Sequence, residues 1–152
     1  MTDSWRMAVT ATRHCLTGCA LGEIAGMVLS TWWGWGNAAN IVLSIVLAFG
    51  FGYTLTYTGV RRAGADSRTA VRAALASDTV SILTMEIVDN LFILVVPGAI
   101  SAGLGSPLFW WSLVVSLAVA FVAAVPVNHW LMERGKGHAV VHQLHEEHAH
   151  RH

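Results

Sequence analysis

The segment Thr12-Arg-His-Cys-Leu-Thr-Gly-Cys-Ala-Leu-Gly-Glu-Ile-Ala-Gly-Met-Val-Leu-Ser-Thr-Trp32 decides how the chain is read. A hydrocarbon core of about 30 Å is crossed by about 20 helical residues, and this apolar run has that length. Gly18, Gly22 and Gly26 recur every fourth residue, and Cys15, Cys19, Glu23 and Met27 recur at the same spacing one position on. Four-residue steps drift by only about 40° on a helix of 3.6 residues per turn, so each set forms a winding stripe. The glycine stripe lets another backbone come close. The other stripe carries thiols, a carboxylate and a thioether, which are metal ligands of graded softness.

Working outward, residues 1–11 are a polar lead, and the first span closes on Thr31-Trp-Trp-Gly-Trp-Gly36, an interfacial anchor and tight turn. A second span is predicted from Asn40 to Tyr57, where Ser44, Ala48 and Gly52 supply the small face that a glycine stripe packs against. Val60 to Arg72 reads as a solvated basic loop, or as a loop in which a helix starts ahead of the membrane. The third span runs from Ala73 to Val96 and stops at Pro97-Gly98; the fourth runs from Leu108 to His129. In the fourth, Ser112, Ser116, Ala120 and Ala124 again repeat by four, and Pro126 is expected to kink the inner end.

The predicted fold class is therefore an all-α membrane protein, a bundle of four transmembrane helices packed through a glycine stripe over residues 12–132, with a histidine-rich tail at 133–152. Only 12% of residues are charged, against about 25% in soluble domains, which leaves no second folded domain. All nine Lys and Arg flank the spans on one side, so both termini are expected in the cytoplasm. The basic residues form no separate patch, so no nucleic-acid partner is expected. The first apolar run lacks a small-x-small cleavage site and reads as a span rather than a signal peptide. Two cysteines at the cytoplasmic half make no disulfide framework and should stay reduced.

The third span carries Asp78, Glu86 and Asp89. A charge at mid-membrane costs about 2.5–3.5 kcal/mol, while each apolar residue returns only about 0.3–0.6. This helix therefore needs partners, protons or a cation. Asp78, Met85 and Asp89 fall within about 40° around the helix, and Glu86 lies about 60° further on. Contact between the first and third spans is expected to gather Glu23, Met27, Met85, Glu86 and Asp89. Cys15, Cys19 and Asp78 would lie nearer the cytoplasmic mouth, rimmed by His14 and His129. The simpler readings are protonated acids tying helices together, cysteines and methionines as core, and His129 as an interfacial residue. In the tail, His138, His142, His145 and His148 form a metal-capturing tract or a solvated amphipathic segment.

The motifs His14-Cys-Leu-Thr-Gly-Cys-Ala-Leu-Gly-Glu-Ile-Ala-Gly26, Met85-Glu-Ile-Val-Asp-Asn90, Pro126-Val-Asn-His-Trp130 and Gly135-Lys-Gly-His138 together resemble a bacterial family of small membrane proteins designated domain of unknown function 4396. The resemblance spans most of Arg13 to His142 and implies an integral membrane protein of the bacterial inner membrane, with no activity to carry over.

On these residues the expected function is binding and transport of a transition metal ion. Cu(I) leads for its preference for sulfur, with Zn, Ni or Co as the other ions that suit histidine and carboxylate. Membrane lipid and further copies of the chain in a homo-oligomer are the expected partners. Two other classes stay open: a proton- or cation-conducting protein, and a non-catalytic assembly subunit. No enzyme is expected, because Cys-x-x-x-Cys on one helix face is poorly placed for a low-strain redox disulfide.

Overall fold

The computed structural model describes residues 3–134; the tail histidines His138, His142, His145 and His148 lie outside the described residues. Four helices follow one another: α1 (Asp3–Trp33), α2 (Asn37–Arg62), α3 (Ser67–Val95) and α4 (Pro107–Glu133), with a single 3-10 turn at Ala99–Ser101. No strand occurs among the described residues.

The short connections have a local cause. Gly34, at φ 68°, ends α1. The Trp35 amide then donates to the Ser30 carbonyl (2.8 Å) and the Gly34 amide to that of Thr31 (3.3 Å), satisfying carbonyls that the helix end would leave unpaired. Gly64, at φ 98°, closes α2 in the same way, with bonds from Ala65 to Val60 and from Gly64 to Arg61. The Asp66 carboxylate caps α3, accepting from the amides of Arg68 (3.0 Å) and Thr69 (3.3 Å). Those bonds, led by the one from the Thr69 hydroxyl, hold its carboxyl below the ordinary range. Ser106 caps α4, ahead of Pro107 at a position where no amide hydrogen is needed.

With hairpin turns at both ends, the helices run up and down in turn. Each packs against its two neighbours in a ring, and α1 and α3 also meet across the centre. The α1–α2 seam is the closest. A β-carbon built on Gly22 would stand 2.6 Å from Ala48 Cα, one on Gly18 would stand 2.8 Å from Gly52 Cα, and one on Gly26 would stand 2.9 Å from Ser44 Cα. The two small-residue stripes thus face each other, as their spacing predicts. The stripe on α4 also faces inward: Ser112, Ser116, Ala120 and Ala124 are all buried.

Helices α1, α2 and α4 are long and apolar enough to cross a membrane. Helix α3, at 29 residues, is as long, but its polar residues lower its mean hydropathy. They point inward: Asp78, Glu86 and Asp89 are all buried. Its exposed large side chains from Leu75 onward, among them Val80, Leu83, Ile87, Leu91 and Leu94, are apolar. Thr79 and Thr84 return their hydroxyls to the carbonyls of Leu75 (2.7 Å) and Val80 (2.8 Å). Helix α3 therefore presents a lipid-compatible outside and a polar inside. Trp32, Trp33, Trp35, Trp110 and Trp111 are exposed at one end of the bundle, here the tryptophan end. All the described arginines lie toward the other, basic end.

The helices outrun their predicted spans. Helix α1 starts at Asp3 rather than Thr12, because the lead still has an inward face: Ala8 is buried and Trp5 stacks on His129 at 3.9 Å between ring centroids. Most of Val60 to Arg72 is helix rather than loop. Arg61 and Arg62 suit the negative end of the α2 dipole, and the Asp66 cap starts α3 four residues after α2 ends. Helix α4 continues unbroken through Pro126.

Candidate functional site

Helices α1 and α3 run in the same direction on opposite sides of the bundle centre, so the cysteine–glutamate stripe of α1 meets the acids of α3 level by level. Nearest the basic end, the Cys15 thiol donates to Asp78 Oδ1 at 3.7 Å, and the Ser77 hydroxyl donates to the same oxygen at 2.8 Å. Further along the same face, the Cys19 thiol lies beside the Glu86 carboxyl. Beyond that, Glu23 and Asp89 face each other within hydrogen-bonding reach, and Ser116 of α4 also reaches Asp89.

Two ionised carboxylates offer only acceptors, so the Glu23–Asp89 contact closes only when one of them carries a proton. Glu23 Oε1, Asp78 Oδ2, Glu86 Oε1 and Asp89 Oδ1 are buried with no hydrogen-bond partner. No lysine or arginine pairs with any of these acids among the described residues, where the one ion pair is His129–Glu133 at 3.6 Å. Uncompensated carboxylates in a dry interior are strongly unfavourable.

A cavity of about 50 Å³ lies on the tryptophan side of the Glu23–Asp89 level. Its walls include Glu23, Glu86, Asp89, Asn40, Asn90, Ser44 and Ser112, with Met27 the one sulfur in its lining. That space accommodates a few waters or a small partly dehydrated ion.

Of the sequence-predicted ligands, Glu23, Met27, Glu86 and Asp89 come together around this cavity. Met85 does not join them; it is fully buried and packs with Ile82, Ala48, Ala120, Ala124 and both cysteines. Cys15 and Cys19 are free thiols; Cys15 donates to Asp78, and both lie in the same packed core as Met85. His14 is exposed on α1, its Nδ1 2.9 Å from the Thr10 carbonyl. His129 is held beneath Trp5, with its Nε2 3.3 Å from the Ser4 hydroxyl. As the side chains stand, no three His, Cys, Asp or Glu among the described residues converge tightly enough to hold a metal. The expected single ligand set is resolved into successive pairs.

Several polar residues went unrecognised in the sequence. Asn128 Nδ2 donates to Thr12 Oγ1 (2.7 Å) and Ser81 Oγ (2.9 Å), tying α4 to α1 and α3 on the basic side of the centre. It continues the four-residue stripe of Ser112, Ser116, Ala120 and Ala124 by one more step, which is the signal that places it inside. Asn40 Oδ1 accepts from Ser30 (2.9 Å) and Ser44 (3.5 Å). At a predicted span edge, Asn40 had no periodic signal of its own.

The family model described as Domain of unknown function (DUF4396) matches residues 4–137. No curated protein and no solved structure matches the chain.

Proposed function

The chain belongs to the DUF4396 family, and we propose that it is a membrane carrier that exchanges a metal cation for protons at the carboxyls enclosed by its four helices. The observation that supports this most is the set of buried oxygens on Glu23, Glu86 and Asp89, without hydrogen-bond partners, lining one cavity with no basic side chain beside them. A carboxyl pair in low dielectric repels itself when fully ionised, so the empty site holds protons. A cation reverses the preference, and its binding releases them.

We place the protein in the bacterial inner membrane with its basic end in the cytoplasm, following the positive-inside rule. The cavity then faces the outer side. On the inner side the Asn128–Thr12–Ser81 bonds and the Cys–carboxyl pairs fill the centre. The tail histidines His138, His142, His145 and His148 would serve cytoplasmic capture or release, since neutral imidazole binds Zn, Ni, Co or Cu. Each chain encloses its own carboxyls, so copies in a homo-oligomer would carry parallel sites. The proposal includes no enzymatic step.

A second reading is proton conduction without metal. It is favoured by the placement of Cys15–Asp78, Cys19–Glu86 and Glu23–Asp89 at successive levels along one axis.

Purified protein in liposomes loaded with a pH-sensitive dye tests the two together. Proton movement driven by a metal gradient, lost in Glu23→Gln and Asp89→Asn, supports exchange. Proton movement without metal supports the second reading. No movement in either experiment contradicts both and leaves the acids as helix-locking groups.

A further inference from the structure

We propose that the outward face of α1 at the basic end, formed by Arg6, Thr10, Arg13 and His14, is a binding site for the phosphate headgroup of an anionic phospholipid. Nothing in this site depends on the ion carried inside; it requires only a bundle that spans a membrane. Arg6, Thr10, Arg13 and Thr17 follow one another at steps of four, three and four, which holds them within about 60° around the helix, with His14 about 40° beyond Thr10. All five are exposed, whereas Ala8, Thr12 and Cys15 on the opposite face of the same turns are buried. An open groove of about 310 Å³ lies on this face, lined by Thr10, Arg13, His14 and Thr17. The hydroxyls of Thr10 and Thr17 donate to the carbonyls of Arg6 and Arg13, both at 2.9 Å, and His14 Nδ1 lies 2.9 Å from the Thr10 carbonyl. The guanidinium groups of Arg6 and Arg13 keep their N–H donors for another partner. Asp3, one turn before Arg6 on the same side, pairs with neither of them, since the one ion pair among the described residues is His129–Glu133.

Depth singles out Arg13. Counted from the tryptophan-end terminus of its own helix at about 1.5 Å per residue, Arg13 lies about 30 Å away, whereas Arg61, Arg72 and Arg134 lie about 35–40 Å away. A hydrocarbon core is about 30 Å thick, so Arg13 stands at its boundary on the basic side, where the lipid phosphates lie, and Arg6 stands about 10 Å further out. Two of the shallower arginines have partners in the protein: Arg61 donates to the Ala65 carbonyl at 2.8 Å, and Arg134 lies over the Trp130 ring at 4.5 Å. Arg13 has no such partner among the described residues, and a guanidinium at the hydrocarbon edge is costly without an anion. Its fork of N–H donors matches two phosphate oxygens. Beyond Thr17 the same face continues as the exposed Leu21 and Val28, so a headgroup held at Arg13 has an apolar track for its acyl chains. A zwitterionic lipid brings its own cation to the phosphate, whereas Arg6 and Arg13 against the single Asp3 leave this face positive. The face therefore selects a lipid of net negative charge.

The test is photo-crosslinking of full-length protein in phosphatidylcholine liposomes that carry, in both leaflets, a trace of phosphatidylglycerol with a photoactivatable headgroup. The buffer holds about 0.5 M NaCl, where the Debye length falls to about 4 Å and diffuse attraction is screened. Expected is label on the α1 peptide containing Arg6 to Thr17, displaced by unlabelled phosphatidylglycerol and not by inorganic phosphate or further phosphatidylcholine. A charge-assisted contact is worth about a decade of affinity and a nearby surface arginine about fivefold. Arg13→Gln should therefore weaken phosphatidylglycerol about tenfold and Arg6→Gln about fivefold, with Arg13→Lys between Arg13→Gln and wild type because it keeps the charge and loses the fork. Arg62→Gln, an exposed arginine at the end of α2, should stay within about twofold of wild type. All four positions are exposed, and far-ultraviolet dichroism confirms the fold of each variant. Equal losses in Arg13→Gln and Arg62→Gln would reduce the site to a diffuse basic collar and overturn the proposal. Displacement by inorganic phosphate or phosphatidylcholine, or absence of label from α1 in the wild type, would overturn it as well.

Discussion

Adding one methyl group at Gly22 is a sharp perturbation, because its consequence follows from the α1–α2 seam alone. In Gly22→Ala the new β-carbon would lie 2.6 Å from Ala48 Cα and 2.8 Å from Ala48 Cβ. Ordinary carbon contacts begin near 3.5 Å, so α1 and α2 must part locally by about 1 Å. The neighbour is backbone and cannot swing aside. Overpacking of this kind costs about 1–3 kcal/mol, against a gain of up to about 1 kcal/mol in helix propensity. Gly50→Ala is the matched control, since nothing lies within 4 Å of a β-carbon there; it collects the propensity gain alone. Thermal or detergent-titration unfolding, followed by tryptophan fluorescence, should rank Gly50→Ala at or above wild type and Gly22→Ala below it. Equal stabilities for the two variants would refute the seam and, with it, the placement of Ser44 beside the cavity.

Gly26→Ala should combine a stability loss with weaker cation binding, because its β-carbon would collide with the Ser44 hydroxyl that lines the cavity; paired melting and Mn²⁺ titration check this. Asn128→Leu removes the bonds to Thr12 and Ser81 and should cost about 1–3 kcal/mol in the same unfolding assay, with Mn²⁺ affinity retained. Cys15 and Cys19, each 1% exposed, should react with a water-soluble disulfide reagent only on unfolding, as a colorimetric thiol assay in detergent would show. The Asp66 carboxyl, held below its ordinary range by Thr69 and Arg68, stabilises the α3 start above the unfolded-state value and loses that effect as pH falls through its folded-state value. Hydrogen exchange at the Arg68 and Thr69 amides should therefore quicken only below the ordinary carboxylate range, and Asp66→Asn should flatten that dependence.

The packing was legible because small residues at four-residue spacing have one geometric use. Gly18, Gly22 and Gly26 against Gly52, Ala48 and Ser44 could be read as complementary stripes before any contact was known. The inward face of α3 followed from cost, since lipid does not tolerate Asp78, Glu86 and Asp89. The division of labour within the centre was not legible. A helical wheel sets Met85 beside Asp89, but the level along the axis and the shape of the neighbours decide that Met85 fills the core while Asp89 borders the cavity. The pairing of Cys15 with Asp78 and Cys19 with Glu86 depends on the relative height of two helices that meet only diagonally. His129 finds Trp5 at the other end of the chain, a partner that local pattern does not announce.

The most direct measurement of cation–proton exchange is the number of protons released per bound ion. It is obtained by titrating wild-type protein with Mn²⁺ calorimetrically in buffers of different ionisation enthalpy. Three carboxyls that are neutral when empty, and neutralised by one divalent ion plus one proton when filled, release about two protons per ion; Glu23→Gln loses the retained proton and should bind more weakly with about two still released, whereas Glu23→Gln/Asp89→Asn, left with one carboxyl, should release about one. Binding without proton release, or with a count unchanged in Glu23→Gln/Asp89→Asn, would contradict the exchange.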